Sequence, residues 1–264
     1  MLEIKNITKI FNAGTVNEKV AIDGLSLTLN DGDFVTVIGG NGAGKSTLQN
    51  LIAGTYLPDG GEILIDGTNV TRLPEFKRAK YIGRVFQDPM VGTAADMWIE
   101  ENMALAKQRG KRRGLSWSIS QSDREEFKKQ LSVLGLELEN RLSTKVGLLS
   151  GGQRQAITLL MAAMNHPKLL LVDEHTAALD PKTAAKVLEI TQHLVEADKL
   201  TTLMITHNMR DAIAIGNRLI MMNNGKIIYD ISGEEKKKLT VSALMDLFAR
   251  ASDGNFANDR MLLG

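Results

Sequence analysis

Residues 39–46, Gly-Gly-Asn-Gly-Ala-Gly-Lys-Ser, constrain the fold of this chain more than any other segment. They follow the apolar run FVTVI at 34–38, which lacks alternation and so predicts a strand buried on both faces. Residues 45–53 are predicted to form a helix. A strand, this glycine-rich segment and a helix fit the P-loop pattern, in which backbone N–H groups surround phosphate at a helix N-terminus. An ordinary glycine-rich turn would require neither Lys45 nor Ser46.

Apolar periodicity along the rest of the chain predicts an α/β fold. Alternation between residues 2 and 29 indicates a hairpin-rich antiparallel sheet, and buried strands are predicted at 62–65, 81–86, 169–172, 202–205 and 219–222. Helical periodicity dominates at 100–107, 123–134 and 152–164. We therefore predict a P-loop NTPase core with a mixed or parallel sheet, an N-terminal antiparallel β subdomain and an inserted α-helical subdomain.

The predicted domain boundaries place the core with its β subdomain at 1–88 and 167–235 and the helical subdomain at 89–166. Residues 236–264 are assigned to a C-terminal helix and tail, with a strand from 226, a basic turn at 236–238, an amphipathic helix near 241–250 and a loose end beyond 252. The basic, glycine-punctuated stretch at 108–114 predicts a solvated loop, with lipid headgroup contact as the less favoured alternative.

Composition narrows the possible partners and compartments. Lys and Arg total 32 against 31 Asp and Glu, so a net charge of +1 indicates neither nucleic acid nor an anionic membrane as a general partner. The absence of Cys excludes a disulfide framework and thiolate metal sites. The N-terminus lacks the pattern of a signal peptide, and the apolar runs are shorter than the roughly 20 residues of a spanning helix. We therefore expect a cytosolic protein whose membrane role, if any, comes through a partner.

Two adjacent carboxylates, Asp173 and Glu174, follow the apolar run at 169–172. Because like charges repel, two adjacent carboxylates at a strand end are unfavourable for a purely structural role. A pair of solvated residues in a surface loop is the alternative. Beside a P-loop, Asp173 is expected to hold Mg²⁺ through water, and Glu174 to accept a proton from the attacking water. Lys45 is expected to contact the β- and γ-phosphates, while Ser46 ligates Mg²⁺.

A second candidate anion site lies at the sequence Ser150-Gly151-Gly152-Gln153, which leads directly into a helical run. Ser150 can cap that helix, and the glycines leave its backbone N–H groups uncovered. An ordinary helix cap is the alternative interpretation.

Together, GGNGAGKS, LSGGQ and LLLVDE, in this order around a helical insertion, resemble the nucleotide-binding domain of ABC proteins over about residues 1–235. The resemblance implies that nucleotide is bound by the P-loop and signature residues. The P-loop set is Gly39, Gly40, Asn41, Gly42, Ala43, Gly44, Lys45, Ser46 and Thr47, and the signature set is Ser150, Gly151, Gly152 and Gln153.

Further positions match family motifs one by one. Gln87 corresponds to the glutamine that contacts Mg²⁺ or the lytic water, His207 to the histidine that contacts the γ-phosphate, and Asp180 to the aspartate of the D-loop. Asp180 before Pro181 is equally a helix N-cap. Phe11 lies where the family carries an adenine-stacking aromatic, with a packed strand-end side chain as the alternative. Gln87 could likewise be a polar strand-end residue.

One position departs from many relatives, which carry proline where this chain has His175. The change adjoins Glu174 and therefore concerns loop geometry more than chemistry; His166, His175 and His193 are expected to be structural. The sequence DEHTAALDPKTA resembles that of a bacterial importer subgroup. Its permeases are similar to branched-chain amino-acid permeases, and its binding proteins include binders of aromatic amino acids.

The resemblance also implies partners. Two ATP molecules would lie between the P-loop of one subunit and the signature residues of the other, in a head-to-tail homodimer or with a paired ATPase subunit. An integral permease would dock near Gln87 and the helical insertion at the cytoplasmic face of the membrane. A solute-binding protein outside the cell would act indirectly, and no nucleic-acid partner is expected. A soluble ABC ATPase acting on ribosomes, DNA or iron–sulfur assembly is the alternative, and a small-molecule kinase is a weaker one.

Overall fold

The computed structural model describes residues 1–111 and 119–251. The strands are β1 (Leu2–Phe11), β2 (Lys19–Leu29), β3 (Phe34–Ile38), β4 (Gly60–Ile65), β5 (Thr68–Asn69), β6 (Ile82–Val85), β7 (Leu169–Asp173), β8 (Thr202–Ile205), β9 (Arg218–Asn223) and β10 (Lys226–Ser232). The helices are α1 (Lys45–Ala53), α2 (Glu75–Arg78), α3 (Ile99–Lys107), α4 (Gln121–Ser132), α5 (Gly151–Ala163), α6 (Pro181–Ala197), α7 (Met209–Ala214), α8 (Gly233–Lys237) and α9 (Val241–Ala251).

The chain divides into two compact units. The first comprises Met1–Arg78 and Lys199–Gly264, and the second comprises Ala79–Asp198. The P-loop segment lies in the first unit, and the paired carboxylates lie in the second. The predicted helical insertion at 89–166 falls within the second unit.

An antiparallel sheet forms the N-terminal part of the first unit, with strand order β2-β1-β4-β5. Alternate residues of β1 contribute to the core of this sheet. Leu2 and Ile4 are buried, whereas Glu3 is half-buried and Lys5 is exposed. Side chains of a strand point alternately to opposite faces, which explains the period of two in this part of the sequence. The predicted antiparallel β subdomain is confirmed.

The strand before the P-loop is buried along its whole length. β3 pairs in parallel with β8 on one side and β9 on the other, and all five of its residues are buried. β10 then pairs antiparallel with β9. A central parallel strand is covered on both faces, which accounts for the unbroken apolar run at 34–38.

The second unit pairs β6 with β7 in parallel and carries the helices α3, α4, α5 and α6. The three predicted helices of the insertion agree with α3, α4 and α5 to within two residues at each end. α5 is buried along most of its length and packs against β6, so it is the central helix of this unit. The predicted α/β class, with its P-loop core and helical subdomain, is confirmed.

The C-terminal region differs from prediction at the expected basic turn. Residues 233–237 form α8, and Lys236 is 2% exposed, with its ammonium donating to the backbone carbonyls of Ile215 and Gly216. Burial lowers the pKa of Lys236 to about 8. A charge run in sequence is usually solvated, but here the lysine satisfies carbonyls at the end of α7.

The amphipathic helix predicted near 241–250 is present as α9. Its Leu244 and Phe248 pack into a cluster with Met209 and Ala212 of α7. The predicted loose end beyond 252 and residues 112–114 of the basic stretch lie outside the described residues. Across residues 1–111 and 119–251, no helix combines the length and apolar character that crossing a bilayer requires.

Candidate functional site

The P-loop turns tightly between β3 and α1, and its lysine lies across the turn. Lys45 Nζ donates to the carbonyl of Gly39 at 2.7 Å and to that of Gly40 at 3.1 Å, and the residue is 6% exposed. These contacts hold a cation directly beside the backbone N–H groups that precede α1. Positive charge, a helix N-terminus and turned-in amides make this segment suited to bind phosphate.

Gly44 begins α1 in a conformation that few other residues adopt. Its φ is +100°, and a Cβ added there would lie 2.7 Å from the carbonyl oxygen of Ala21. The N–H of Gly225 donates to Ala43 at 3.0 Å and fixes the loop from its other side. Glycine is therefore required at position 44 for two reasons: the turn needs a positive φ, and strand β2 passes too close for a Cβ. Ser46, in the first turn of α1, is exposed, as a ligand of bound Mg²⁺ requires.

Phe11 ends β1 and packs edge-on against Tyr56, with ring centroids 5.3 Å apart and an interplanar angle of 78°. Lys9 Nζ lies 5.6 Å from the centre of the Phe11 ring. Phe11 is half-buried, so part of its surface is accessible. The arrangement is compatible with both interpretations made from the sequence, and adenine stacking stays a prediction. Tyr56, which follows α1, was not identified from the sequence because its contact with Phe11 depends on tertiary structure.

His207 follows β8 in the same unit as the P-loop and is half-buried. The next residue, Asn208, caps α7 by accepting from the N–H groups of Arg210 and Asp211. Asn208 also donates through its backbone N–H to the hydroxyl of Thr206 at 3.1 Å. His207 thus lies between a buried strand and a capped helix, which fix its backbone. A fixed backbone is what a side chain that contacts a ligand requires.

The two carboxylates leave the end of β7 in different conformations. Asp173 is the last residue of the strand, while Glu174 has φ of +40°, and both are half-buried. A non-glycine residue at positive φ is uncommon and is a frequent property of functional positions. The turn closes by a hydrogen bond from the N–H of Ala177 to the carbonyl of Glu174 at 3.0 Å. Asp173 has the extended backbone of a strand and Glu174 a left-handed one, so the two adjacent side chains leave the backbone in different directions. They can therefore contact different partners.

His175 is 2% exposed, and its Nε2 lies 2.8 Å from Thr191 Oγ1 on α6. Burial lowers the pKa of His175 to about 4, so the imidazole is neutral at physiological pH. Its expected structural role agrees with this contact. His166, by contrast, is exposed and lies 3.4 Å from the carboxylate of Asp198.

We expect acid to destabilise the fold through His175. Between pH 6.5 and about 4 the unfolded chain binds a proton at this residue that the folded chain excludes, so the free energy of unfolding falls as pH falls. The loss amounts to roughly 3 kcal/mol once both limits are passed. Denaturant unfolding at pH 7, 5.5 and 4.5 measures it. His175→Gln should flatten this dependence, whereas His193→Gln, at an exposed position of α6, should keep it; equal slopes for both variants would contradict the assignment.

The signature segment begins α5 with a reciprocal cap. Ser150 Oγ accepts from the N–H of Gln153 at 3.3 Å, and Gln153 Oε1 accepts from the N–H of Ser150 at 3.2 Å. Arg154 donates to the carbonyls of Val146, Gly147 and Leu149, which fixes the preceding turn. Ser150 and Gly151 are both exposed. The predicted N-cap is confirmed, and it leaves the helix N-terminus open to an anion.

Gly152 and Asp180 meet at one residue of α6, Thr183. A Cβ added to Gly152 would lie 2.1 Å from Thr183 Cγ2, so the α5 backbone packs directly against this side chain. Asp180 caps α6 by accepting from the N–H of Thr183 at 3.1 Å, with Pro181 at the first helical position. Hydrogen bonds from the Thr183 hydroxyl and N–H hold the pKa of Asp180 below its usual range. The cap predicted from the sequence is confirmed, and the D-loop role stays a prediction.

Gln87 is exposed just after β6, and its position is fixed by a residue that sequence reasoning missed. Gln155, buried on α5, donates from Nε2 to the carbonyl of Phe86 at 3.3 Å. The helix that begins at the signature segment therefore also holds the chain next to Gln87. A buried glutamine in an apolar helix was the available signal, since such a side chain requires a partner.

The P-loop residues and His207 thus belong to the first unit. Gln87, Asp173, Glu174, the signature residues and Asp180 belong to the second. A buried strand, a phosphate loop with its lysine, and paired carboxylates after another buried strand define a P-loop nucleotide-binding protein.

Comparison with known proteins narrows this class. A family model described as ABC transporter matches residues 22–177. A tyrosine transport ATP-binding protein of Clostridioides difficile (strain R20291) is 42% identical over 251 residues, covering 95% of this chain and 100% of that protein. A xylose/arabinose import ATP-binding protein of Sulfolobus acidocaldarius is 35% identical over 250 residues, covering 94% of this chain and 95% of that protein.

Solved structures agree with the sequence comparisons. A dimeric structure of the ATP-binding cassette MJ0796, in a post-hydrolysis state bound to ADP and Pi, has a TM-score of 0.74 and 30% identity over 88% of this chain and 98% of that one. The ADP conformation of the cassette MJ1267 has a TM-score of 0.77 and 29% identity over 94% and 98%. The chain belongs to the ABC transporter family, as an ATPase of the ATP-binding cassette type.

Proposed function

We propose that two copies of this chain, or this chain and a paired ATPase subunit, close head to tail around two ATP molecules and drive a membrane permease that imports an amino acid. The observation that carries the proposal is that two helices begin in segments suited to an anion, α1 at the P-loop and α5 after Ser150. A head-to-tail dimer gives both a role at each nucleotide. The dimeric state described for MJ0796 supports the same arrangement.

At each nucleotide, the residues of this chain have distinct tasks. Residues 39–47 hold the phosphates through backbone N–H groups, and Lys45 adds charge at the β- and γ-phosphates. Phe11 stacks on adenine. Glu174 accepts a proton from the attacking water, Gln87 orients that water, and His207 contacts the γ-phosphate. Asp180 of the D-loop lies at the dimer contact.

The side chains proposed as ligands have the chemistry that Mg²⁺ requires. Ser46 offers an exposed hydroxyl and Asp173 a half-buried carboxylate, and Mg²⁺ prefers such oxygen ligands while keeping several waters and substrate phosphates. Within 1–111 and 119–251, no group of three His, Cys, Asp or Glu side chains could hold a metal ion. A magnesium completed by phosphate and water needs no such group. Gln87 is the third proposed ligand, and the bound ion would neutralise phosphate charge during hydrolysis.

The shared site makes a prediction for Ser150→Arg. We expect the variant to bind ATP as a monomer with wild-type affinity, because its own P-loop is intact, but to block closure of the dimer by filling the helix start with a long cation. Fluorescent-nucleotide titration and turnover measure the two effects. Ser132→Arg, at the C-terminal end of α4, is the matched control and should hydrolyse normally. A loss of monomer affinity equal to that of Lys45→Ala would contradict the shared site.

A groove in the second unit is the proposed docking site for the permease. A cavity of about 550 Å³ lies in it, lined chiefly by apolar and small side chains together with Arg84 and Arg109. Val91 and Leu105 both line this cavity and are 64% and 45% exposed, so the groove presents apolar surface that a partner could cover. A short permease helix is the proposed occupant.

We expect Leu105→Glu to uncouple the chain from its permease while leaving nucleotide affinity unchanged, because a charge in an apolar groove opposes docking. Co-purification from detergent-solubilised membranes measures the effect. Val133→Glu, at a similarly exposed position just after α4, is the matched control. If the wild-type chain brings down no multi-spanning protein, the soluble ABC ATPase remains and the transporter proposal fails.

The proposed cargo is an aromatic amino acid. The 42% identity to a tyrosine transport ATP-binding protein over that protein's whole length supports this class above the sugar named for the Sulfolobus relative. The chain does not contact the cargo itself, so the test uses its permease and solute-binding protein in proteoliposomes. ATP hydrolysis stimulated by tyrosine, phenylalanine or tryptophan supports the proposal, and stimulation by xylose alone contradicts it.

A further inference from the structure

The hydrogen bond between His175 and Thr191 joins the residue after Glu174 to the middle of α6. Both residues are buried, and the two side-chain atoms lie 2.8 Å apart. Val187, one turn earlier on α6, accepts at its carbonyl from Thr191 Oγ1 at 2.8 Å. The loop that carries Glu174 is therefore anchored in the interior of the second unit.

The direction of this hydrogen bond follows from the number of protons. A threonine hydroxyl has one proton, and Thr191 donates it to the carbonyl of Val187. Thr191 Oγ1 must then accept from His175, so Nε2 carries the imidazole proton. Only a side chain that places an N–H donor at the position of Nε2 can replace His175 in this contact.

Glu174 is held on both sides by this arrangement. Asp173, before it, belongs to β7, and His175, after it, is bonded to α6, while Glu174 itself adopts φ of +40°. A residue in that region returns to a commoner conformation unless its neighbours prevent it. The hydrogen bond of His175 to Thr191 is a side-chain contact on the downstream side that opposes such a change.

We propose that His175 is a positioning residue for ATP hydrolysis, which fixes the direction of the Glu174 carboxylate by tying the following residue to Thr191. The inference rests on the proposed role of Glu174 as general base. His175 touches neither nucleotide nor water in this proposal. It acts through the backbone, and its loss moves the proton acceptor without removing it.

Thr191→Val is the principal test, because valine keeps the volume of threonine and removes the acceptor. We expect kcat for ATP to fall about tenfold, with KM within twofold of wild type. Thr191→Ser, which keeps the hydroxyl, should have the kcat of the wild type. The full chain is used in all assays, below the thermal midpoint of every variant, and that midpoint is measured for each.

Two substitutions of His175 test the position of the donor. The side-chain nitrogen of glutamine reaches about as far as Nε2, whereas that of asparagine corresponds to Nδ1. We expect His175→Gln to retain more than half of the wild-type kcat and His175→Asn to lose about tenfold. His193→Ala, at an exposed position of α6, is the control and should have no effect.

The Glu174→Gln background separates positioning from general support of the fold. Since His175 acts through Glu174, adding Thr191→Val should lower the residual rate of Glu174→Gln no further. A wild-type kcat in Thr191→Val, equal rates for His175→Gln and His175→Asn, or a further tenfold loss in the Glu174→Gln background would overturn the proposal. Full activity of Glu174→Gln alone would instead defeat the general-base assignment, so the two failures are distinguishable.

Discussion

Glu174→Gln is expected to reduce ATP turnover by roughly 10²–10⁴-fold, the usual contribution of a general base. Glutamine keeps the shape and hydrogen bonding of the side chain but cannot take the proton of the attacking water. Binding should survive, because the P-loop residues that hold the phosphates lie elsewhere in the chain. Turnover at saturating ATP and Mg²⁺ is the primary measurement.

The same variant should also accumulate as a dimer. With hydrolysis slowed and the phosphate contacts intact, ATP holds the two subunits closed, so light scattering after size exclusion should detect a dimer with ATP and Mg²⁺ but a monomer with ADP. Glu189→Gln is the matched control, since Glu189 is an exposed glutamate on α6. Wild-type turnover in Glu174→Gln would remove this residue from the mechanism.

Lys45→Ala is expected to weaken ATP binding by about two orders of magnitude. A hydrogen bond to a charged group contributes up to roughly 3 kcal/mol, and backbone N–H groups alone hold the β- and γ-phosphates less tightly. The effect should appear in the monomer, which distinguishes it from the defect of Ser150→Arg. Fluorescent-nucleotide titration measures the dissociation constant directly.

Lys5→Ala is the control for this variant, because Lys5 is exposed on β1 in the same unit. Loss of Lys45 also leaves the carbonyls of Gly39 and Gly40 without its ammonium, so circular dichroism must confirm that the fold is retained. Unchanged affinity in a folded Lys45→Ala variant would defeat the P-loop assignment.

Features fixed by neighbouring residues could be predicted from the sequence. The caps at Ser150 and Asp180 each join a side chain to a backbone N–H group three positions later, and α1 is bounded by Gly44 and Gly54, both in the left-handed conformation. The period of the apolar residues likewise defines strands and helices, because it follows from local geometry. These are the parts of the fold in which local preference and tertiary structure agree.

Features that join distant residues could not be predicted. Lys236 lies in a basic run but is buried against carbonyls 20 and 21 residues away, and Gln155 holds Phe86 from 69 residues away. The hydrogen bond of His175 to Thr191 spans 16 residues and a loop. No pattern in sequence specifies which buried polar groups pair, since the pairing depends on how the elements pack.

The backbone of α5 at Gly152 packs so closely against Thr183 that the start of α5 cannot move toward the start of α6 without displacing it. The N–H of Thr183 also donates to the capping residue Asp180, so the starts of α5 and α6 are joined through Thr183. We therefore expect a reporter attached to the start of α6 to respond to events at Ser150. The chain contains no cysteine, and Lys182 is exposed, so a Lys182→Cys variant accepts a single fluorophore there. The fluorescence of this variant should report opening and closing of the proposed composite site from a residue outside both the P-loop and the signature segment.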